Sequence, residues 1–507
     1  MTPLLAGVFS YLSAGVLSFL YSRFRFRASL IGWFGALAGT ALAIARYVRS
    51  GPLVRTLGSW GALGIEIKLD ETTLLFASLA VILNFFTLWY LRGNKDSYFY
   101  CIYNFLFATS FSVAFSHDLF NLYVTIELMS LLSILLIGYG RKGYQIYAGI
   151  KYLLISSLAM SLYLIGLGLV YREAGYLGIE QLGSVLGDNP GFTVSLGLGL
   201  MLVGLAVKGG IFLFSMWLPD AYSYSGTVAA VVLSGIATKF GLIGIIRLAP
   251  LGKLGPLLLV SGSLTGLAGA VFAILGRRPK RILAYSTMSQ VGYVLIGVGT
   301  GAALGVTGAS LHLFFHGLFK GLLFLSLGHA GIVGGDVYGT ISAVLPRASK
   351  VGLVVGSLSI MAIPPFSGYF SKNVIVQAGG GDWVRYVLLF LGLATAIYYI
   401  KLNWFLLAEP SGSFAPGGLP LLGLSAIVAF SGLVTAAITG EGELISLLGL
   451  KNILSSVGVV LAGGAVLGLI RKPLRRLEVP GFVFDLNNAL ISLFTGILLI
   501  ASFIAVT

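Results

Sequence analysis

Residues 310–324 read SLHLFFHGLFKGLLF, and three titratable groups recur there every four residues: His312, His316 and Lys320. That spacing puts all three on one stripe of a helix. Histidine has an unperturbed pKa of about 6.5 and exchanges protons near neutrality. The stripe therefore reads as successive proton stations. The same two histidines, at i and i+4, share a face and are also of a type that ligates metal or haem. The other histidines, His117 and His329, lie near the ends of apolar segments, and no carboxylate or thiol is close in sequence to complete a ligand set. We expect no metal and no cofactor in this chain.

Other charges are set just as deep in apolar sequence. Glu127 lies in FNLYVTIELMSLLSILL, the one carboxylate deep in any such segment. Lys208 lies in LVGLAVKGGIFLF, Lys239 in LSGIATKFGLIGII and Lys401 in AIYYIKLNWFLL. Lys372 follows IPPFSGYFS, and Lys151 lies nearer the end of its segment. A lysine at the centre of a bilayer costs about 2.5–3.5 kcal/mol, so several of them call for water, a counter-ion or each other. One carboxylate cannot neutralise them all. Glu127 is the natural counter-charge for Lys208, and titrating one member of such a row alters the next. A plainer reading accompanies each residue. Lys151 and Lys401 would snorkel to the interface. Glu127, Lys208 and Lys239 would form a purely structural pairing. His117 and Asp118 read as interfacial and structural.

The elements that must hold these groups follow from composition. The 507 residues are 57% hydrophobic and 10% charged, with a mean hydropathy of +0.97. A soluble chain of this size could not hide so much apolar surface. Apolar runs of membrane-crossing length recur, so the fold class is all-α, polytopic and membrane-embedded. The periodicity is not the short alternation of a β-barrel. Sixteen spans are expected: 3–21, 29–48, 72–91, 98–115, 118–139, 146–170, 193–214, 227–249, 254–275, 281–299, 303–329, 351–370, 384–407, 419–437, 455–470 and 490–506. The N-terminus has no basic n-region and reads as the first span, not as a cleaved signal. The single cysteine, Cys101, excludes an internal disulfide. The net charge of +15 sits mostly in connections, so it does not suggest nucleic-acid binding.

Those connections set an orientation. Arg23, Arg25 and Arg27 follow span 1; Arg92 and Lys95 span 3; Arg141 and Lys142 span 5. Arg277, Arg278, Lys280 and Arg281 follow span 9; Arg347 and Lys350 span 11; Arg471, Lys472, Arg475 and Arg476 span 15. All are odd-numbered, so the positive-inside rule makes that side cytoplasmic and puts both termini outside. Arg49 and Arg55, after span 2, are the exception. Spans 7 and 12 should be broken, the first at Pro219 and Gly226, the second at Pro364, Pro365 and Gly368. Broken helices five spans apart suggest two inverted five-helix repeats. Lys208 then has Lys372 five spans later, and Lys239 has Lys401, as if one pathway occurred twice. The glycine pair Gly209–Gly210 reads as close helix packing within a span, and GGG at 379–381 as a loop. The division is 1–97 (helices 1–3), 98–249 (first repeat), 254–407 (second repeat) and 408–507 (helices 14–16).

Five stretches together resemble a known family: HDLFNLYVTIELMSL, KGGIFLFSMWLPDAYS, RPKRILAYSTMSQVGYVLIG, HLFFHGLFKGLLFL and IPPFSGYFSKN. They resemble the antiporter-like membrane subunits shared by respiratory complex I, Mrp Na⁺/H⁺ antiporters and archaeal membrane-bound hydrogenase or sulfane-sulfur reductase complexes. The resemblance implies a fourteen-helix core with inverted repeats and broken helices 7 and 12. It implies ion-translocation roles for Glu127, Lys208, Lys239 and Lys372, linked through His312, His316 and Lys320, with Lys151 matching a lysine on helix 6. Lys401 has no counterpart there and rests on the repeat argument alone. The chain departs from the family where many relatives carry a proline-rich EAPTPVSA-like stretch; it reads YSGTVAAVVLSG. Lysine, not histidine, on helix 8 looks more like the Mrp D-type or hydrogenase-complex version. Only about 20 residues (471–490) separate the last two spans, too few for the long lateral helix of complex I.

The expectation is a proton-translocating subunit of a larger membrane complex, driven by redox chemistry in partner subunits or by Na⁺ exchange, with no redox or hydrolytic site of its own. An archaeal-type respiratory complex is preferred, then an Mrp antiporter, then complex I. The rivals are a stand-alone secondary transporter, which needs a compact polar midplane site, and a structural paralogue that does not pump. The expected partners are other membrane subunits, protons, possible Na⁺ and lipid.

Overall fold

The computed structural model describes residues 2–58, 64–92, 95–187, 190–332, 336, 345–408, 411–412, 417–439, 450–474, 477, 479 and 481–506. Each of the sixteen expected spans falls on helix. Among the described residues, thirteen helices are long and apolar enough to cross a membrane, and the protein is a multi-pass membrane protein. Arg475 and Arg476 lie outside the described residues.

The helices are α1 (Thr2–Leu20), α2 (Arg25–Ser50), α3 (Glu71–Leu91), α4 (Ser97–Phe115), α5 (Leu119–Gly138), α6 (Gly143–Ala174), α7 (Ile179–Leu186), α8 (Phe192–Gly209), α9 (Leu218–Tyr224), α10 (Thr227–Val232) and α11 (Thr238–Leu248). They continue as α12 (Gly255–Leu275), α13 (Pro279–Gly299), α14 (Ala303–His329), α15 (Arg347–Ile360), α16 (Ser367–Gln377), α17 (Asp382–Ala408) and α18 (Gly418–Thr439). Two further helices span Leu450–Leu474 and Leu486–Val506. Aspartates start three of them. Asp70 accepts from Thr73 N, Asp96 from Phe99 N and Asp118 from Asn121 N, each satisfying an orphan N–H at a positive helix end. Asp118 is thus structural, as its plainer reading held.

An antiparallel hairpin escaped the sequence reading. Strands β1 (Leu53–Leu57) and β2 (Ile65–Leu69) pair Leu53 with Leu69 and Leu57 with Ile65. With five residues apiece, the strands carry too little alternation to stand out beside long apolar helices.

By packing, the chain forms two compact units, a division distinct from that by repeat. The first holds residues 1–217, 236–254 and 489–507; the second holds 218–235 and 255–488. In the first, α1 packs on α2 and α4, α5 on α4 and α6, and α8 on α6 and α11. In the second, α13 packs on α12 and α14, α14 also meets α10, α15 and α16, and α17 meets Leu450–Leu474.

Both expected breaks are present: Gly226 parts α9 from α10 as expected, but the first break opens earlier than Pro219. It opens at Gly210, which ends α8 in the left-handed conformation at φ +74°. Pro219 instead sits in the first turn of α9, where it has no helical N–H to forfeit. Gly209–Gly210 is therefore a helix terminus as well as a contact. The second break follows Ile360 and contains Ala362 at φ +59°.

The two breaks share one hydrogen-bond pattern. Gly210 N donates to Val207 O, Ile211 N to Ala206 O and Phe214 N to Ile211 O. Ala362 N donates to Ser359 O, Ile363 N to Leu358 O and Phe366 N to Ile363 O. Every pair is offset by 152 residues, the interval from Gly210 to Ala362. In that register Lys208 matches Ile360, and Lys372 matches Asp220. The two lysines do not align in that register. Both broken helices carry a lysine, but Lys208 precedes its break and Lys372 follows its own.

Candidate functional site

Lys208 closes the last turn of α8, where its amine is buried. Nζ lies 3.0 Å from Glu127 Oε2 and 2.5 Å from Ser130 Oγ, and also donates to Ser156 Oγ. It stands over the Tyr152 ring at 5.7 Å, which stacks on Trp217 at 3.9 Å. Glu127 and Ser130 are one helical turn apart on α5, which is why one amine meets both. Glu127 remains 22% exposed while the Lys208 side chain is 2% exposed. The expected pair is formed, with the carboxylate partly exposed and the ammonium buried.

Lys239 is 1% exposed and sits at the second position of α11. Its Nζ lies 3.5 Å from Thr238 Oγ1. Directly before it, Leu233–Ala237 form a π turn, a widened coil often found at functional sites. Gly241 lets α11 approach closely: a Cβ there would lie 2.5 Å from Gly209 N and 2.7 Å from Lys208 C. Lys151 is buried too, so the snorkelling reading does not describe it.

In the second unit, the α14 stripe is fully interior: His312, His316 and Lys320 are all buried. The two imidazoles are 6.0 Å apart with their planes inclined by 28°. His312 Nδ1 meets Ser371 Oγ on α16 at 3.0 Å. Lys320 Nζ donates to Leu283 O at 2.6 Å, to Ser286 Oγ, and to Tyr399 OH at 3.3 Å. Lys372 Nζ donates to Ile360 O at 2.8 Å and lies 4.5 Å from the centre of the Tyr293 ring. Ile360 ends α15, so the ammonium rests on the negative end of a half-helix and on an aromatic face.

The neutral polar row beside these groups was not singled out from sequence. Ser286, Gln290 and Tyr293 recur along one face of α13. Ser286 Oγ lies 3.1 Å from Tyr399 OH, and Gln290 Nε2 donates to Thr395 Oγ1 and Tyr398 OH, each at 3.2 Å. Tyr293 lies 5.8 Å from His312. The i, i+4, i+7 spacing of Ser286, Gln290 and Tyr293 was available in the sequence, but neutral side chains on a buried helix give no charge signal.

Lys401 is placed differently. Its amine is buried and donates to Ala273 O at 3.1 Å, Ile274 O at 2.5 Å and Gly276 O at 2.7 Å. These carbonyls end α12, where backbone acceptors lack intrahelical partners and positive charge is favoured. Asp220, missed as well, lies 2.8 Å from Arg281 Nη2, which also donates to Tyr224 OH at 3.2 Å.

Comparison with known proteins gives concordant results. Residues 116–398 match the family described as "NADH:quinone oxidoreductase/Mrp antiporter, TM". The chain is 33% identical over 400 residues to the N subunit of the NADH-quinone oxidoreductase of Desulforudis audaxviator, covering 72% of this chain and 77% of that one. It is 30% identical over 430 residues to the D-type subunit of the Na(+)/H(+) antiporter of Alkalihalophilus pseudofirmus, covering 78% and 86%. Two solved structures share its fold. One is of the membrane-bound sulfane sulfur reductase, an archaeal respiratory membrane complex, with a TM-score of 0.79, 23% identity, and 90% of this chain and 99% of that one covered. The other is of the Mrp complex from Dietzia, with a TM-score of 0.77, 22% identity, and 91% and 100% covered.

Proposed function

Since the chain belongs to the NADH:quinone oxidoreductase/Mrp antiporter family, we propose that it is a proton-translocating subunit of a multisubunit membrane complex. Protons move along Glu127, Lys208 and Lys239 in the first unit, with Lys151 alongside. In the second they move along His312, His316, Lys320 and Lys372. The relatives are named as subunits of a quinone oxidoreductase and of an Na⁺/H⁺ antiporter. By that likeness, the driving force comes from redox chemistry in partner subunits or from Na⁺ exchange. The basic connections face the cytoplasm.

The Lys208 site carries this reading. A buried ammonium held by Glu127, Ser130 and Ser156 has one charged partner and two hydroxyls that donate or accept. Such a site keeps a proton at membrane depth and passes it on when the carboxylate's charge is removed. The chemistry of Lys320, with Ser286 and Tyr399, is analogous. Lys401 stands outside the path in this proposal, because three helix-end carbonyls occupy its amine.

The test is driven proton transport by the intact complex in vesicles carrying Lys239→Ala or Glu127→Gln. Either substitution should lower transport at least tenfold with assembly unchanged. Transport at the wild-type rate in both would support the structural paralogue instead.

A further inference from the structure

Arg247 is not among the groups above, yet four polar contacts hold its guanidinium. It lies in the last turn of α11, eight residues and about 12 Å along the helix from Lys239, and is 5% exposed. One guanidinium nitrogen, Nη1, lies 2.9 Å from His117 Nδ1 and 3.5 Å from Asp70 Oδ2. The other, Nη2, donates to Thr73 Oγ1 at 3.1 Å and Ala114 O at 3.0 Å. Those partners come from the start of α3, the end of α4 and the connection to α5. That is the end of the unit away from Arg92, Lys95, Arg141 and Lys142.

The tautomer of His117 follows. A guanidinium only donates, so Nδ1 accepts and Nε2 bears the hydrogen, facing Glu180 Oε2 at 3.5 Å. Burial first, then the charges of Arg247 and Lys68, push the His117 pKa down to about 3, against the opposing pull of Asp70. The imidazole is therefore neutral at physiological pH and does not add a second charge. Burial alone would raise the Asp70 carboxyl; Arg247 and the Thr73 N–H and hydroxyl outweigh it and hold it below its ordinary value. Asp70 is an anion in place, and Arg247 a cation in place.

We propose that Arg247 is a fixed positive barrier that closes this end of the first unit to protons and alkali cations. Asp70, Thr73, Ala114 and His117 serve as its positioning frame. An immobile arginine excludes cations from a membrane pathway by field and by occupancy, and arginine does not deprotonate in proteins, so the barrier does not open by titration. The function is to make the pathway through Lys239 one-ended within this unit. The inference rests on the proposed function only in requiring that pathway.

The test is passive proton leak in vesicles holding the intact complex, with no driving reaction, after an external acid step read by an internal pH dye. Arg247→Gln should raise the leak at least tenfold. The double variant Asp70→Asn/Arg247→Gln removes the charges together, leaves no orphan carboxylate, and should leak equally. Arg247→Lys keeps the charge and should stay near the wild-type rate. A wild-type leak in Arg247→Gln or in the assembled double variant overturns the barrier, as does a leak in Arg247→Lys equal to that in Arg247→Gln. Lys239→Ala separates the two ideas: it should abolish driven transport without raising the leak. Unchanged driven transport there sinks the pathway but leaves the leak comparison to judge Arg247.

Discussion

Residue identity alone does not distinguish the buried lysines; what each ammonium touches does. Lys208 meets a carboxylate and hydroxyls, Lys320 a hydroxyl pair and a carbonyl, Lys372 a helix end and a ring, and Lys401 three carbonyls. Carbonyls accept but never donate, so among the described residues no hydrogen-bond partner of Lys401 can take its proton onward. Lys401→Ala should therefore lower the thermal stability of the complex, by about 1–2 kcal/mol as a lost cation at a helix C-terminus, while driven transport per assembled complex stays unchanged. A tenfold loss of transport at normal assembly would return Lys401 to the path. His117 supplies a pH prediction. Its folded pKa of about 3 lies below the ordinary 6.5, so the unfolded chain binds more protons in that interval. Stability should fall as pH drops from about 6.5. His117→Gln keeps an acceptor for Arg247 and should flatten that fall in melting temperatures measured between pH 7 and pH 5.

At the scale of elements, the two breaks place the chemistry. Their shared hydrogen-bond pattern caps carbonyls in the last turn of both α8 and α15, but at the matched left-handed position one break has glycine and the other alanine, and the first break also holds Leu213 at φ +71°. A side chain there costs about 1–2 kcal/mol. Gly210→Ala should lower stability by about 1 kcal/mol, and Ala362→Gly should be neutral or slightly stabilising, read from paired thermal melts. Gly241 is tighter still. Gly241→Ala must push α11 off the Lys208–Gly209 backbone, costing about 1–3 kcal/mol as overpacking and reducing transport through misplacement of Lys239. The sequence marked the break in span 12 through Pro364 and Pro365, which stand in it, whereas Gly368 lies inside α16. In span 7 it found the interruption at Gly226 but missed the earlier one, because Pro219 is a helix-start proline and Gly210 carried the turn. Proline announces itself in both roles, and only the backbone tells them apart.

At the scale of the whole chain, apolar run length put each expected span on helix among the described residues, since hydrocarbon thickness leaves little freedom in a crossing segment. The charged site residues were equally visible, because each one breaks an apolar run at visible cost. What the sequence hid is neutral or short. The α13 row of Ser286, Gln290 and Tyr293, the β1–β2 hairpin and the partners of Arg247 have no hydropathy signature, and their meaning arises only once helices are packed. Each unit holds its own set of buried titratable groups, so the account requires both sets to work. Its most direct test is driven proton transport by the intact complex in vesicles with Lys320→Ala, with assembly and partner turnover checked in the same preparation. The account predicts transport reduced at least tenfold; transport at the wild-type rate with assembly intact would contradict it.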